Sequence, residues 1–223
     1  MLLTITRNPI RITLDTSSFN TITAGTNGAK TTTSTNLAFL LKVLNVAKYF
    51  YSTRIKVYPL TTIVAPSVCV DYNTPSNDRN FGVSASDLHI YARYITDKAT
   101  AYGATGKSCK YFGDGSSPPD GTLQLGRPTM GRIIFNTYST VDSSSSLTNM
   151  LFQSVTSTTL HEMMHILGFD STLYARWLVS DETNARYSNT YTSTFRPASN
   201  FTSASIRANS YFLTTPNVKA WTQ

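Results

Sequence analysis

The sequence predicts an α+β fold, and three observations carry the prediction. Apolar residues alternate at Ile10, Ile12 and Leu14, the period of a half-buried strand. Two long stretches, about 36 to 51 and about 147 to 167, repeat apolar residues at helical spacing. Several strand-like runs lie between them, and the order strand, helix, strands, helix argues α+β.

The first strand begins after Pro9, and a Gly/Thr/Ser-rich loop through Gly25, Gly28 and Ser34 follows it. The first helix rests on Leu37, Leu40, Leu41, Leu44 and Phe50, with Ser34 or Thr35 as N-cap. Its apolar positions spill round to Phe39, Val43 and Val46, which reads as a well-buried core helix without chemistry. Ile55 to Leu60 reads as a short strand, and Pro66, Asp71, Asn73, Pro75 and Asn77 mark a long loop. Leu88 to Ile95 is a strand by composition, and Ala99 to Ala104 a short strand of small residues. Gly106 to Pro128 reads as a loop, Ile133 to Phe135 as a buried strand, and Ser143 to Ser146 as a polar loop. The second helix carries Leu151, Val155 and Met163 and stops at Gly168, where glycine can take the left-handed turn that ends a helix. Beyond Phe169 the pattern weakens into a Tyr/Ser/Thr-rich stretch with Pro197 and Pro216. The expected division is therefore 1–169 and 170–223.

Composition narrows the function classes. The chain has 223 residues, 40% hydrophobic and 14% charged, which fits a globular protein. Its net charge of +7 is spread along the chain without a basic block, so a nucleic-acid partner is not expected. No apolar run approaches the length needed to cross a bilayer, and Met1 to Arg7 turns polar too soon for a signal peptide. The abundance of Ser, Thr and Asn suits a secreted or surface protein. Asn200-Phe201-Thr202 is a glycosylation sequon, a triplet common by chance. Cys69 and Cys109 lie in loops or at strand ends; they read either as one disulfide in an oxidising compartment or as two free buried thiols.

The chemistry is concentrated in His161-Glu162-Met163-Met164-His165. The sequence has only three histidines, and this pentapeptide uses two of them. Residues four apart share a helix face, so His161 and His165 can present ring nitrogens to one metal ion, for which zinc is the natural choice. Glu162 points to one side, where it can take a proton from water without being a ligand. The remaining histidine, His89, sits in the strand 88–95 and reads as a solvent-facing or satisfied sheet residue with no role.

The stretch from His161 to Gly168-Phe169 resembles the metzincins, and most closely the leishmanolysin family of surface metalloproteases. Short-spaced metzincins have a third histidine where this chain has Ser171, whereas leishmanolysins have Gly-Phe after the second histidine and a long insertion before the third. Asn8-Pro9-Ile10-Arg11-Ile12, Asp87 to Tyr91, Gly126 to Asn136 and Thr215-Pro216-Asn217-Val218 are similar to other segments of that family, in order.

The resemblance implies the metzincin N-terminal catalytic subdomain: a twisted mixed sheet, a backing helix and an HExxH active-site helix. It implies a zinc endopeptidase with His161 and His165 as ligands and Glu162 as general base. The substrate is a peptide or protein, at the cell surface or outside the cell. By order along the chain, the edge strand against which substrate lies is Ala99, Thr100, Ala101, Tyr102, Gly103 and Ala104. No histidine follows His165 and no methionine follows Met164, so the family's third ligand and Met-turn are missing. The expectation is thus a fragment that holds zinc weakly, with any membrane-surface association residing in parts outside this sequence. Two other readings stand beside it. Glu182 can serve as an acidic third ligand of a gluzincin-like protease, and a non-catalytic adhesion or binding protein can retain a relic site.

Overall fold

The computed structural model describes residues 6–112, 126–141, 147–169, 192–194 and 211–213. The chain divides into two compact units, Met1–Asp170 and Ser171–Gln223. In order, the elements of the first are β1 (Asn8–Pro9), β2 (Ile12–Asp15), α1 (Ser34–Arg54), β3 (Lys56–Val57), β4 (Thr62–Ile63), β5 (Val68–Cys69), β6 (Tyr72–Asn73), α2 (Ser76–Asn80) and β7 (Val83–Ser84). Then come β8 (Leu88–Ile95), β9 (Ala104–Tyr111), β10 (Pro128–Asn136), α3 (Thr137–Thr140) and α4 (Asn149–Ile166). In the second unit the described residues form one antiparallel pair, β11 (Thr192–Thr194) with β12 (Tyr211–Leu213).

The main sheet has the order β2-β8-β10-β9. β2, β8 and β10 run parallel, and β9 closes one edge antiparallel to β10. The fold is thus mixed α+β. Interior strands must be apolar on both faces, which explains why Leu88, Ile90, Tyr91, Met130, Ile133 and Phe135 are all fully buried. Leu88, Ile90, Ala92, Ile133 and Phe135 face the helices and share one core with Leu40, Leu44, Met163 and Ile166. Deleting such a buried leucine side chain costs about 2–5 kcal/mol.

Helix α1 starts earlier than its apolar repeat suggests. Its N-cap is Thr33, whose hydroxyl accepts from the Asn36 amide at 3.1 Å, so neither Ser34 nor Thr35 caps it. Asn36 is instead turned inward, its amide donating to the Val141 carbonyl at 2.8 Å. Val46 and Tyr49 face outward, so the helix is a two-sided one rather than buried all round. The Ile55–Leu60 run contributes only β3, paired with β1.

The opposite sheet face is covered by residues 61–84, which are not a plain loop but two short ladders around α2. Tyr91 donates to Asp78 at 2.9 Å and Arg132 pairs with Asp71 at 3.1 Å, pinning this cover to β8 and β10. A disulfide joins Cys69 of β5 to Cys109 of β9. At the other end Asp87 accepts from the Arg11 amide, Arg11 Nε and Arg11 Nη2, each at 2.9 Å, and from the Leu60 amide at 2.7 Å.

Two assignments at the sheet's edge are corrected. The edge strand is Ala104–Tyr111, not Ala99–Ala104, and it occupies ground that reads as loop in the sequence. Residues 97–103 form a turn instead, because Asp97 accepts from the Ala99 amide at 3.1 Å and the Thr100 hydroxyl at 2.5 Å. Asn136 fastens the same turn through its side-chain amide, bonded to the carbonyls of Asp97 and Thr100. β10 is also longer than Ile133–Phe135, spanning nine residues with an irregularity in its pairing near Met130.

Candidate metal centre

Helix α4 carries the site because its two faces differ in kind. Thr148 caps it, accepting from the Leu151 amide at 3.2 Å. Val155, Thr159, Met163 and Ile166 recur every three or four residues and are buried against the sheet and α1. Tyr51 of α1 donates to the Leu160 carbonyl at 2.8 Å, fixing the helix one residue before the motif. At Leu167 the backbone N–H still bonds Met163, and Gly168 then takes a φ of 108° and ends the helix.

The close seating of α4 depends on two glycines in the strands beneath it. A Cβ at Gly131 of β10 would overlap Ile166 Cγ2 and lie 2.9 Å from the Lys107 carbonyl oxygen. A Cβ at Gly106 of β9 would overlap the carbonyl oxygen of Glu162 and lie 2.8 Å from its carbon. The helix backbone thus rests directly on β9 at the motif itself.

On the outward face His161 and His165 converge. Their Nε2 atoms are 3.1 Å apart and their rings meet edge to face. His165 Nδ1 lies 2.8 Å from the Phe169 carbonyl oxygen. A carbonyl can only accept, so Nδ1 is the donor, and in the neutral form of the ring this leaves the lone pair at Nε2. That is the tautomer a metal ligand needs, held by the kind of outer partner such ligands use. Two imidazole nitrogens at zinc–nitrogen distances on a tetrahedral centre stand about 3.3 Å apart. The pair therefore fits zinc with only a small adjustment.

Glu162 is turned about 100° round the helix from His161, toward β9. Its Oε2 accepts from the Gly106 backbone amide at 2.7 Å. The sequence contained no local signal for Gly106, which sits in a stretch poor in strand-forming residues.

Among the described residues, no three His, Cys, Asp or Glu side chains gather as a metal site. His89 lies on the other face of the sheet, not in solvent. It is buried, with Nδ1 bonded to the Thr13 hydroxyl at 2.8 Å; Nε2 lies 3.8 Å from Asp78 and has no hydrogen-bond partner among the described residues. Burial pushes its pKa below the usual histidine value, against the pull of Asp78 and Asp15. Both cysteines are used in the disulfide. Asp170, Ser171, Glu182, the Asn200 sequon and the 215–218 segment lie outside the described residues.

No curated protein sequence matches the chain. The family model for leishmanolysin matches residues 32–220, from the cap of α1 through the motif helix and well into the second unit.

Proposed function

Because the chain belongs to the leishmanolysin family, a family of zinc-dependent metalloproteases, we propose that it is a zinc endopeptidase centred on α4. One observation carries the reading: two histidine Nε2 atoms 3.1 Å apart, one of them in the ligand tautomer, beside a carboxylate on the same helix.

In this reading His161 and His165 hold the ion and supply two of the three protein ligands a catalytic zinc uses. The third is not a histidine of this sequence, since His89 is on the far face of the sheet. When bound, zinc supplies Lewis acidity that polarises the scissile carbonyl and makes water easier to deprotonate. Glu162 takes the proton from the attacking water and passes it to the leaving amine nitrogen. The substrate's main chain pairs with the open edge of β9. Of the stretch expected to bind it, Ala104 alone is on that strand, and Ala99 to Gly103 would flank it as a turn. Action at the cell surface or outside the cell agrees with the family and with the disulfide.

The test is zinc content and peptide cleavage of the purified chain beside three variants. His161→Ala and His165→Ala should each lose zinc. Glu162→Ala should keep it and lose cleavage by at least about a hundredfold. Zinc that stays stoichiometric without either histidine would overturn the assignment.

A further inference from the structure

The open edge of β9 already has one partner. Asn136 donates its backbone N–H to the Gly103 carbonyl at 2.7 Å, and the register pairs Phe135 with Ala104 and Ile133 with Gly106. Antiparallel pairs alternate between bonded and unbonded, so the backbone groups of Ala104 and Gly106 point away from β10, out of the sheet. The Gly106 N–H, on that outer side, is the one that meets Glu162 Oε2 at 2.7 Å. The other carboxylate oxygen accepts no hydrogen bond among the described residues.

We propose that the main-chain amide of Gly106 is the positioning group for Glu162, an inference that rests on the zinc-peptidase reading for its functional half. A glutamate side chain has three rotatable bonds, and on a helix surface it samples several rotamers. One charge-assisted bond to a rigid strand amide holds Oε2 and leaves Oε1 as the oxygen that faces the water. The arrangement requires glycine at 106 for a reason separate from backbone flexibility. Any Cβ there meets main-chain atoms of Glu162, which cannot swing aside as a side chain can, so strand and helix would have to part and the amide would leave its reach. Gly106 makes no contact with reacting atoms; it acts through Glu162.

The bond also changes the strand as a template. A peptide adding to β9 finds the Gly106 N–H occupied by the enzyme's own carboxylate. Its pairing therefore has to rely on the Gly106 carbonyl and on Ala104, also turned outward.

The first test is made on the metal-free full chain by amide hydrogen exchange in NMR spectra. An outward edge amide exchanges freely unless something bonds it. Gly106 should be protected in the parent chain, lose at least about tenfold of that protection in Glu162→Ala, and keep it in Glu162→Gln, whose side-chain oxygen still accepts. Lys107, bonded inward to β10, should not change. Free exchange of Gly106 in the parent, or protection that survives Glu162→Ala, overturns the proposal. The second test is on the zinc-loaded chain. Gly106→Ala should lower kcat by about a hundredfold while zinc stays bound, as a displaced catalytic group would. An unchanged kcat in a folded Gly106→Ala chain overturns the positioning role. Failure of the peptidase reading looks different: no zinc at the histidines, with the Gly106 protection intact.

Discussion

Asp87 offers the sharpest test of how the sheet is tied together. Its side chain is 1% exposed and accepts four hydrogen bonds, three from Arg11 and one from the Leu60 amide. Burial alone would raise its pKa, but these donors outweigh burial and hold it below the usual carboxylate value. Arg127 is close by with its guanidinium buried, its pKa pushed down to about 10 by burial and partly restored by Asp87. Replacing Asp87 with Ala removes the common acceptor and leaves Arg127 facing no carboxylate. Arg11 is less affected, since its side chain is 39% exposed and also bonds the Leu60 carbonyl. Breaking a buried, hydrogen-bonded charge in this way costs about 3–5 kcal/mol. For a chain of this size that is a fall in Tm of roughly 6–20 °C. Thermal and urea unfolding of Asp87→Ala measure it, and adding Arg127→Met should recover part of the loss by removing the stranded cation. The sign with pH follows from the lowered pKa. The contribution of Asp87 is complete above the unfolded value of about 3.9 and is lost as pH falls through the folded value. The parent and Asp87→Ala should therefore converge in strong acid. A penalty under about 1 kcal/mol at neutral pH would refute the reasoning, because it would mean water replaces the carboxylate.

Other tests concern the packing on the two faces of the sheet. Cys69 and Cys109 are 40 residues apart in sequence, so chain entropy assigns their disulfide about 4 kcal/mol of stability. Urea unfolding of a Cys69→Ser/Cys109→Ser chain should show that loss, and equal midpoints would contradict it. His89 is buried with a lowered pKa, opposite Asp78 and Asp15 and against the Tyr91 ring. Stability should be level above about pH 6.5 and fall as pH drops toward the folded value, a slope that His89→Gln should lack. Gly131→Ala should cost about 1–3 kcal/mol by overpacking under Ile166, seen as a lower Tm. A neutral result there would show that α4 has room to lift.

The parts legible in the sequence are those where chemistry or period is local. The pentapeptide from His161 to His165 announces itself by residue type and spacing. β8 is found at its full length because Leu88 to Ile95 is apolar and β-branched or aromatic throughout much of its run. The edge strand escaped because Ala-Thr-Gly-Lys-Ser-Cys-Lys-Tyr has neither alternation nor strand-forming composition. Its structure comes from pairing with β10, the disulfide and the helix lying on it. The α1 cap was ambiguous because Thr31 to Thr35 is an unbroken run of hydroxyl side chains, any of which can cap. The partnership of Gly106 with Glu162 spans 56 residues and involves a main-chain amide, so no side-chain pattern encodes it.

The strand order also has a kinetic side. β9 and β10 first pair at Tyr111 and Pro128, a closure of about 17 residues, whereas β2 reaches β8 across the span that separates Arg11 from Asp87, 76 residues. Closing the longer loop costs about 1.3 kcal/mol more in chain entropy. We expect the hairpin to form first and β2 to dock late, so Ile133→Val should slow folding while Ile12→Val mainly speeds unfolding, as stopped-flow chevrons would report. Equal slowing by both would count against it. A chain built in this order has the strand carrying Gly106 in place, ready to receive α4, while the opposite edge of its sheet is still open.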